Sequence, residues 1–353
     1  MDYQALLRKY INVVSHEAAS DLHLAVGAHP TIRVAGALTP MLKESVLAPE
    51  DTESFLKVLL TPEQLAEFRI KKEFDFAYQT ADGIRFRGNA FFQRGSVGIA
   101  LRLIPPVIRP IHELNVPDVL ETFARKSQGF FLVVGPVGQG KSTTLSAMIE
   151  LINVERMEHI VTIEDPIEHV FEPKQSLIAQ REVGIDTKDF ASALVSAFRE
   201  DVDVILVGEM RGPETMSAAV TAAETGHLVF STLHTNNAAQ TIDRIIDTFP
   251  ANQQDQIRLQ LASSLMGIFS QRLLPRVSGG LIPAYELLIN NKAVSNLIRE
   301  KRTHEINTVI ETGSSEGMID MNRSLADLVA RGEITVETAY QYSQNPNMLQ
   351  KLL

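Results

Sequence analysis

The stretch Gly135–Ser142, GPVGQGKS, constrains this chain more than any other. It fits G-x-x-x-x-G-K-[ST]: Gly135, then Pro136, Val137, Gly138 and Gln139, then Gly140, Lys141 and Ser142. The apolar run Phe130–Val134 before it reads as a buried strand, and the stretch from Thr143 to Ile152 after it reads as a helix. That strand–loop–helix passage is the setting in which glycines let backbone N–H groups cradle phosphate oxygens. The helix N-terminus there adds its partial positive charge. Lys141 is placed to reach β- and γ-phosphates and Ser142 to hold Mg²⁺, with Thr143 closing the candidate nucleotide-binding set. A glycine-rich turn that merely precedes a lysine has no reason to carry both flanks. The loop predicts a nucleoside triphosphate and is silent about what its energy drives.

The chain has 353 residues, enough for two domains at about 150 residues each. A hydrophobic content of 44% with 22% charged residues is that of an ordinary globular chain. The net charge of −10 argues against strong sequence-independent binding to nucleic acid, where neutralised phosphates supply the affinity. No cysteine is present, so disulfides and thiolate zinc sites are excluded. No apolar run approaches 18 residues and the N-terminus lacks the basic-then-apolar signature of a leader, which predicts a cytoplasmic protein.

Residues 2–14 space Tyr3, Leu6, Leu7, Tyr10, Val13 and Val14 as one helix face. Leu22, Leu24 and Val26 alternate as a strand, and Ile32, Val34 and Ala35 begin a second beyond the turn at 27–30. Pro49–Phe68 reads as one or two helices, with Thr61-Pro62-Glu63 as a start signal. Phe74, Phe76 and Tyr78 alternate, Asp82-Gly83 marks a hairpin, and strands follow at 84–92 and 98–104. Residues 1–104 therefore predict an α+β domain on an antiparallel sheet. Pro105, Pro106, Pro110 and Pro117 predict a stiff, extended linker over 105–117. The second domain, 118–353, offers strands at Phe130–Val134, His159–Ile163, Val204–Val207 and Leu228–Leu233, separated by helical stretches. Apolar strands alternating with helices predict a doubly wound parallel sheet, hence an α/β fold. From about Gln253 the pattern predicts helices, apart from 279–289.

Acids and histidines mark the strand ends. Glu164 and Asp165 directly follow the His159–Ile163 strand, where ligands of parallel sheets bind. Val204–Val207 ends in Gly208-Glu209, a carboxylate one residue later than the aspartate usual for holding the metal. His227 opens the Leu228–Leu233 strand and His234 closes it, where an imidazole is placed to sense a γ-phosphate. In the first domain Arg85, Arg87, Arg94 and Arg102 form either an exposed basic face or a set of arginine fingers, and composition does not choose.

Taken together, these residues resemble the secretion-superfamily ATPases, in particular the branch that retracts type IV pili. The resemblance spans nearly the whole chain. Its marks are Ala19-Ser-Asp-Leu-His-Leu, the loop Gly135–Ser142, Ile163-Glu-Asp-Pro-Ile-Glu168, Val207-Gly-Glu-Met-Arg211 and Thr225-Gly-His-Leu-Val-Phe-Ser-Thr-Leu-His234. It implies a PAS-like N-terminal domain joined to a RecA-like P-loop ATPase domain with a helical C-terminal part. ATP and Mg²⁺ are the implied cofactors. It implies that Glu164 orients the attacking water, that Glu209 supports Mg²⁺ with Ser142, and that His227 and His234 couple nucleotide state to the sheet. It further implies a homohexamer in which Arg87 and Arg102, with Arg85 behind them, reach a neighbour's phosphates. The implied partner is an inner-membrane pilus platform protein, which would hold the motor at the inner face of the cytoplasmic membrane. Nucleic acid is not implied.

Retraction is favoured over assembly because the chain starts almost at the PAS-like domain and lacks the four-cysteine zinc motif. Ala293-Val-Ser-Asn-Leu-Ile-Arg-Glu300 resembles the retraction branch's AIRNLIRE motif, differing at Val294 and Ser295. Gln271-Arg272-Leu-Leu-Pro275 looks more like the assembly branch. A pilus-assembly or type II secretion ATPase is the alternative, a RecA-like nucleic-acid translocase a second, and a non-hydrolysing regulatory nucleotide binder a third.

Overall fold

The computed structural model describes residues 2–34, 36–104 and 107–353. Ala35, in the expected second strand, and Pro105 and Pro106, in the expected linker, lie outside the described residues. Two compact units divide the chain, Met1–Val107 and Ile108–Leu353.

The first unit runs α1 (Tyr3–His16), β1 (Asp21–Leu24), β2 (Thr31–Val34), β3 (Ala37–Pro40), α2 (Pro49–Leu59), α3 (Pro62–Lys71), β4 (Glu73–Gln79), β5 (Arg85–Gln93) and β6 (Ser96–Ile104). Asp2 caps α1 by accepting from the Gln4 and Ala5 amides, and Leu7, Tyr10, Ile11 and Val14 bury its inner face. Thr61 and Gln64 form a capping box on α3, with Pro62 at its first position. The strands form one antiparallel sheet in the order β3-β2-β1-β6-β5-β4. Arg94 and Gly95, with φ of 48° and 79°, make the two-residue turn between β5 and β6. The third strand, Ala37–Pro40, is exposed throughout and has no alternation to betray it.

The second unit runs α4 (Val119–Ala124), β7 (Gly129–Val134), α5 (Lys141–Glu155), β8 (His159–Glu164), β9 (Leu177–Glu182), α6 (Phe190–Ala197), β10 (Val204–Val207), α7 (Pro213–Glu224) and β11 (Leu228–Leu233). It continues with α8 (Ala238–Asp247), α9 (Ala251–Ser264), β12 (Leu265–Pro275), β13 (Leu281–Ile289), α10 (Lys292–Arg299), α11 (Ile306–Thr312), α12 (Met321–Ala330), α13 (Val336–Tyr342) and α14 (Pro346–Leu352). Its seven-stranded sheet has the order β13-β12-β7-β11-β10-β8-β9. All pairs are parallel except β12–β13. β7 shows why its strands read as unbroken apolar runs. Phe130, Leu132 and Val134 face one core cluster while Phe131 and Val133 face the other, so helices cover both sides.

Two expectations need correction. The stretch Leu265–Pro275, read as helical, is β12, inserted beside β7. Ser270 and Gln271 are buried with their apolar neighbours, so no period of two survives in the sequence. Gly267 fixes the strand there, because a Cβ would lie 2.7 Å from the Leu288 carbonyl oxygen. The sheet is accordingly mixed at one edge. The stretch read as an extended linker is also part of the second unit's core, where Ile111, Leu114 and Val116 are buried. Among the described residues no helix is long and apolar enough to cross a membrane.

Candidate functional site

The site forms where the parallel strands end. β7 delivers Gly135, and α5 begins at Lys141, with Gly140 as its cap in the left-handed conformation. All three loop glycines have positive φ, Gly138 at 76°, and at two of them a Cβ would also meet β12. Gly135 has φ 146° and a Cβ there would sit 2.5 Å from the Gln271 carbonyl oxygen. Gly140 has φ 78° and a Cβ would meet the Gln271 amide nitrogen at 2.9 Å. Pro136, Val137 and Gly138 are exposed at the loop tip, Gln139 is half-buried, and Ser142 and Thr143 are half-buried in the first turn of α5.

Lys141 is buried at 7% exposure. Its ammonium donates to the Gly135 carbonyl at 2.8 Å and the Pro136 carbonyl at 2.9 Å, and lies 3.3 Å from His234 Nδ1. Burial brings this ammonium down to about 8, against the opposing pull of the Glu168 and Glu209 carboxylates. An ammonium has no lone pair, so in this contact His234 Nδ1 is the acceptor. Nε2 is 3.7 Å from Glu209. Glu209 is also ion-paired with Arg211. Lys141, His234, Glu209 and Arg211 thus form one charged chain across the ends of β7, β11 and β10.

The end of β8 adds Glu164. Thr162 Oγ1 donates to its carboxylate at 2.6 Å and Gln180 Nε2 at 3.3 Å. Burial nevertheless pushes the Glu164 carboxyl up to about 7. That is a carboxyl poised to exchange a proton near neutral pH. Gly208 permits the close passage of β10 beside β8, since a Cβ would lie 3.2 Å from the Ile163 carbonyl oxygen.

The structure does not bring His227 to this crevice. It precedes β11 at the amino-terminal end, roughly 20 Å along the strand from His234. Its Nδ1 lies 3.0 Å from the Ala222 carbonyl oxygen and its ring meets Phe198 edge-on at 5.7 Å. Strand direction is the reason: the two ends of a parallel strand open on opposite sides of the sheet.

Arg87 and Arg102 lie in the first unit as direct cross-strand partners on β5 and β6. Arg102 pairs in turn with Asp21 of β1, Nε to Oδ1 at 3.0 Å, and Arg33 approaches the same carboxylate at 3.8 Å. Burial works to raise the Asp21 pKa, yet the Ser20 hydroxyl and the Arg102 guanidinium hold it below the ordinary range. Among the residues given no role by sequence reasoning, Gln271 of β12 touches the glycine loop directly. The sequence marked Gln271–Pro275 by its likeness to the assembly branch, which assigned this side chain no role at the loop.

Oxygen donors from Ser142 and Glu209 suit a hard cation that takes its remaining ligands from phosphate and water. Among the described residues no group of three or more His, Cys, Asp or Glu is arranged to hold a metal alone.

Fold and site define an α/β nucleotide-binding class, with its ligand crevice beyond the carboxyl ends of parallel strands. The family described as Type II/IV secretion system protein matches residues 3–345, and the chain belongs to it. It is 43% identical over 330 residues to the type IV pilus retraction ATPase PilT of Pseudomonas aeruginosa, covering 94% of this chain and 96% of that one. It is 45% identical over 317 residues to a twitching motility protein of Neisseria gonorrhoeae, covering 90% and 84%. The crystal structure of the pilus retraction motor PilT with bound ADP superposes with a TM-score of 0.91 at 45% identity, covering 97% of this chain and 98% of that one.

Proposed function

We propose that this chain is an ATP-hydrolysing motor that powers type IV pilus retraction. The observation that carries the chemistry is that Lys141, His234 and Glu209 adjoin one another at the ends of β7, β11 and β10, with Glu164 at the same end of the neighbouring strand β8. The identity of 43% over 94% of the chain to a retraction ATPase supports the task to which that chemistry is put.

Residues 135–143 bind the β- and γ-phosphates, with Lys141 leaving its two loop carbonyls for phosphate oxygens. Glu164 orients water on the γ-phosphorus and takes its proton, so that the bond to the leaving ADP oxygen breaks and inorganic phosphate departs. Ser142 and Glu209 would hold Mg²⁺. The ion, when bound, neutralises phosphate charge. His234, between Lys141 and Glu209, registers whether the γ-phosphate is present. Arg87 and Arg102 act across a subunit interface in a homohexamer, stabilising a neighbour's phosphates. The ring acts on a platform protein at the inner face of the cytoplasmic membrane.

The test measures ATP turnover and mass together across a concentration series, for the wild type, Arg87→Ala and Arg102→Ala. Turnover per subunit that rises as hexamers form, with arginine variants that assemble but barely hydrolyse, supports the reading. Equal turnover by a monomer removes the interface mechanism.

A further inference from the structure

β12 carries Gln271 against the underside of the glycine loop, and both ends of its carboxamide are engaged there. The side chain is 3% exposed. Its Nε2 donates to the Gln139 carbonyl at 2.8 Å, and its Oε1 accepts from Thr144 Oγ1 at 2.8 Å, one turn into α5. Gln139 returns the contact, its Oε1 accepting from the Leu273 amide at 2.7 Å. The backbone carbonyl of Gln271 packs against Gly135 at the start of the loop.

We infer that Gln271 is a positioning residue that fixes which face of the Gln139–Gly140 peptide meets the phosphate. A planar trans peptide points its C=O and its N–H in opposite directions. Drawing the Gln139 carbonyl down onto Gln271 aims the Gly140 N–H away from β12, into the loop. Glycine at 140 leaves this peptide free to rotate, because no Cβ opposes either orientation. The reverse orientation presents an oxygen to an anion and repels it. Lys141 shows that loop carbonyls compete for donors, since its ammonium is held by those of Gly135 and Pro136. Gln271 removes the Gln139 carbonyl from that competition. Thr144 orients the carboxamide by occupying Oε1, so that Nε2 faces the loop. The inference rests on reading Gly135–Ser142 as the phosphate-binding loop.

The experiment uses the full chain and a fluorescent ADP analogue, with steady-state ATP turnover alongside. Gln271→Met, close in volume and without polar atoms, is expected to weaken ADP at least tenfold and raise KM for ATP similarly, while kcat falls less than threefold. Thr144→Val is expected to shift affinity in the same direction and Thr144→Ser to match the wild type. Gln271→Met with Thr144→Val together should bind no more weakly than Gln271→Met alone. ADP affinity of Gln271→Met within twofold of wild type overturns the inference, as does multiplication of the two single effects. If Gln271→Met does not fold, the Thr144 pair decides, and equal affinities for Val and Ser overturn it. Lys141→Ala is the separate control. Wild-type affinity in that variant would overturn the phosphate-loop reading itself.

Discussion

The strand Leu228–Leu233 separates two histidines that a sequence presents as a pair. At its carboxyl end His234 lies 3.3 Å from Lys141 and 3.7 Å from Glu209, inside a charged chain that crosses three strands. At its amino end His227 meets a backbone carbonyl and the edge of Phe198. The residue type is the same and the strand is the same. What differs is strand polarity. In a parallel sheet every strand delivers its carboxyl end to one side, so side chains distant in sequence converge there without any local motif. At the other end, helices feed into strands and the polar groups are occupied in closing those connections.

If that asymmetry is functional, damage at the carboxyl end should be far more costly than damage at the amino end. Glu164→Gln is expected to lower ATP turnover about 10²–10⁴-fold while retaining ATP binding, the range for loss of a positioned proton acceptor. Normal hydrolysis by that variant would end the assignment of Glu164. His234→Ala should be milder. It removes one contact to a charged group, about 1.5–3 kcal/mol, and thus on the order of tenfold or more in turnover. A His234→Ala protein with unchanged kcat and KM would reduce the charged chain to Lys141, Glu209 and Arg211.

The parts of this site that were legible in sequence are those where one strand supplies its own signal. Apolar runs buried on both faces, each followed by a glycine loop, an acid or a histidine, identified β7, β8, β10 and β11 and their terminal residues. β12 was not legible, because its buried Ser270 and Gln271 interrupt the apolar pattern without creating alternation. The contact of Gln271 with Gln139 spans 132 residues, and nothing local encodes it. The pairing of Arg102 with Asp21, 81 residues apart, is likewise a consequence of register in the first sheet. The proline-rich segment misled for a different reason. Composition gave stiffness, while Ile111, Leu114 and Val116 gave the burial that ties it to the second core.

Glu164 also allows the comparison to be sharpened through stability. Its carboxyl titrates near 7 in the folded chain, against an ordinary value of 4.5. The folded state therefore binds this proton more tightly than the unfolded state, and stability falls as pH rises from about 4.5 through about 7. The loss amounts to ~1–3 kcal/mol once partial solvent access is allowed for. Glu164→Gln does not titrate there. At pH 8 it is expected to melt above the wild type, with the gap closing towards pH 5. A gap independent of pH would mean that the carboxyl is already ionised at acidic pH, and the poised proton acceptor would be lost with it.

The smallest expected effect is at the amino end. His227→Ala removes the contact with the Ala222 carbonyl in α7 and the edge-on contact with Phe198 at the end of α6, both at the amino end of β11. The cost is on the order of 1 kcal/mol of stability, or a few degrees of melting temperature. ADP affinity of the chain should stay within about twofold, because no part of the imidazole reaches the glycine loop roughly 20 Å away. Calorimetry and nucleotide titration on the same preparation separate the two readouts. A melting shift with unchanged affinity assigns His227 to the scaffold of the strand. A tenfold loss of affinity without a melting shift would mean that the two ends of β11 are coupled, and strand polarity alone would no longer explain where the chemistry sits.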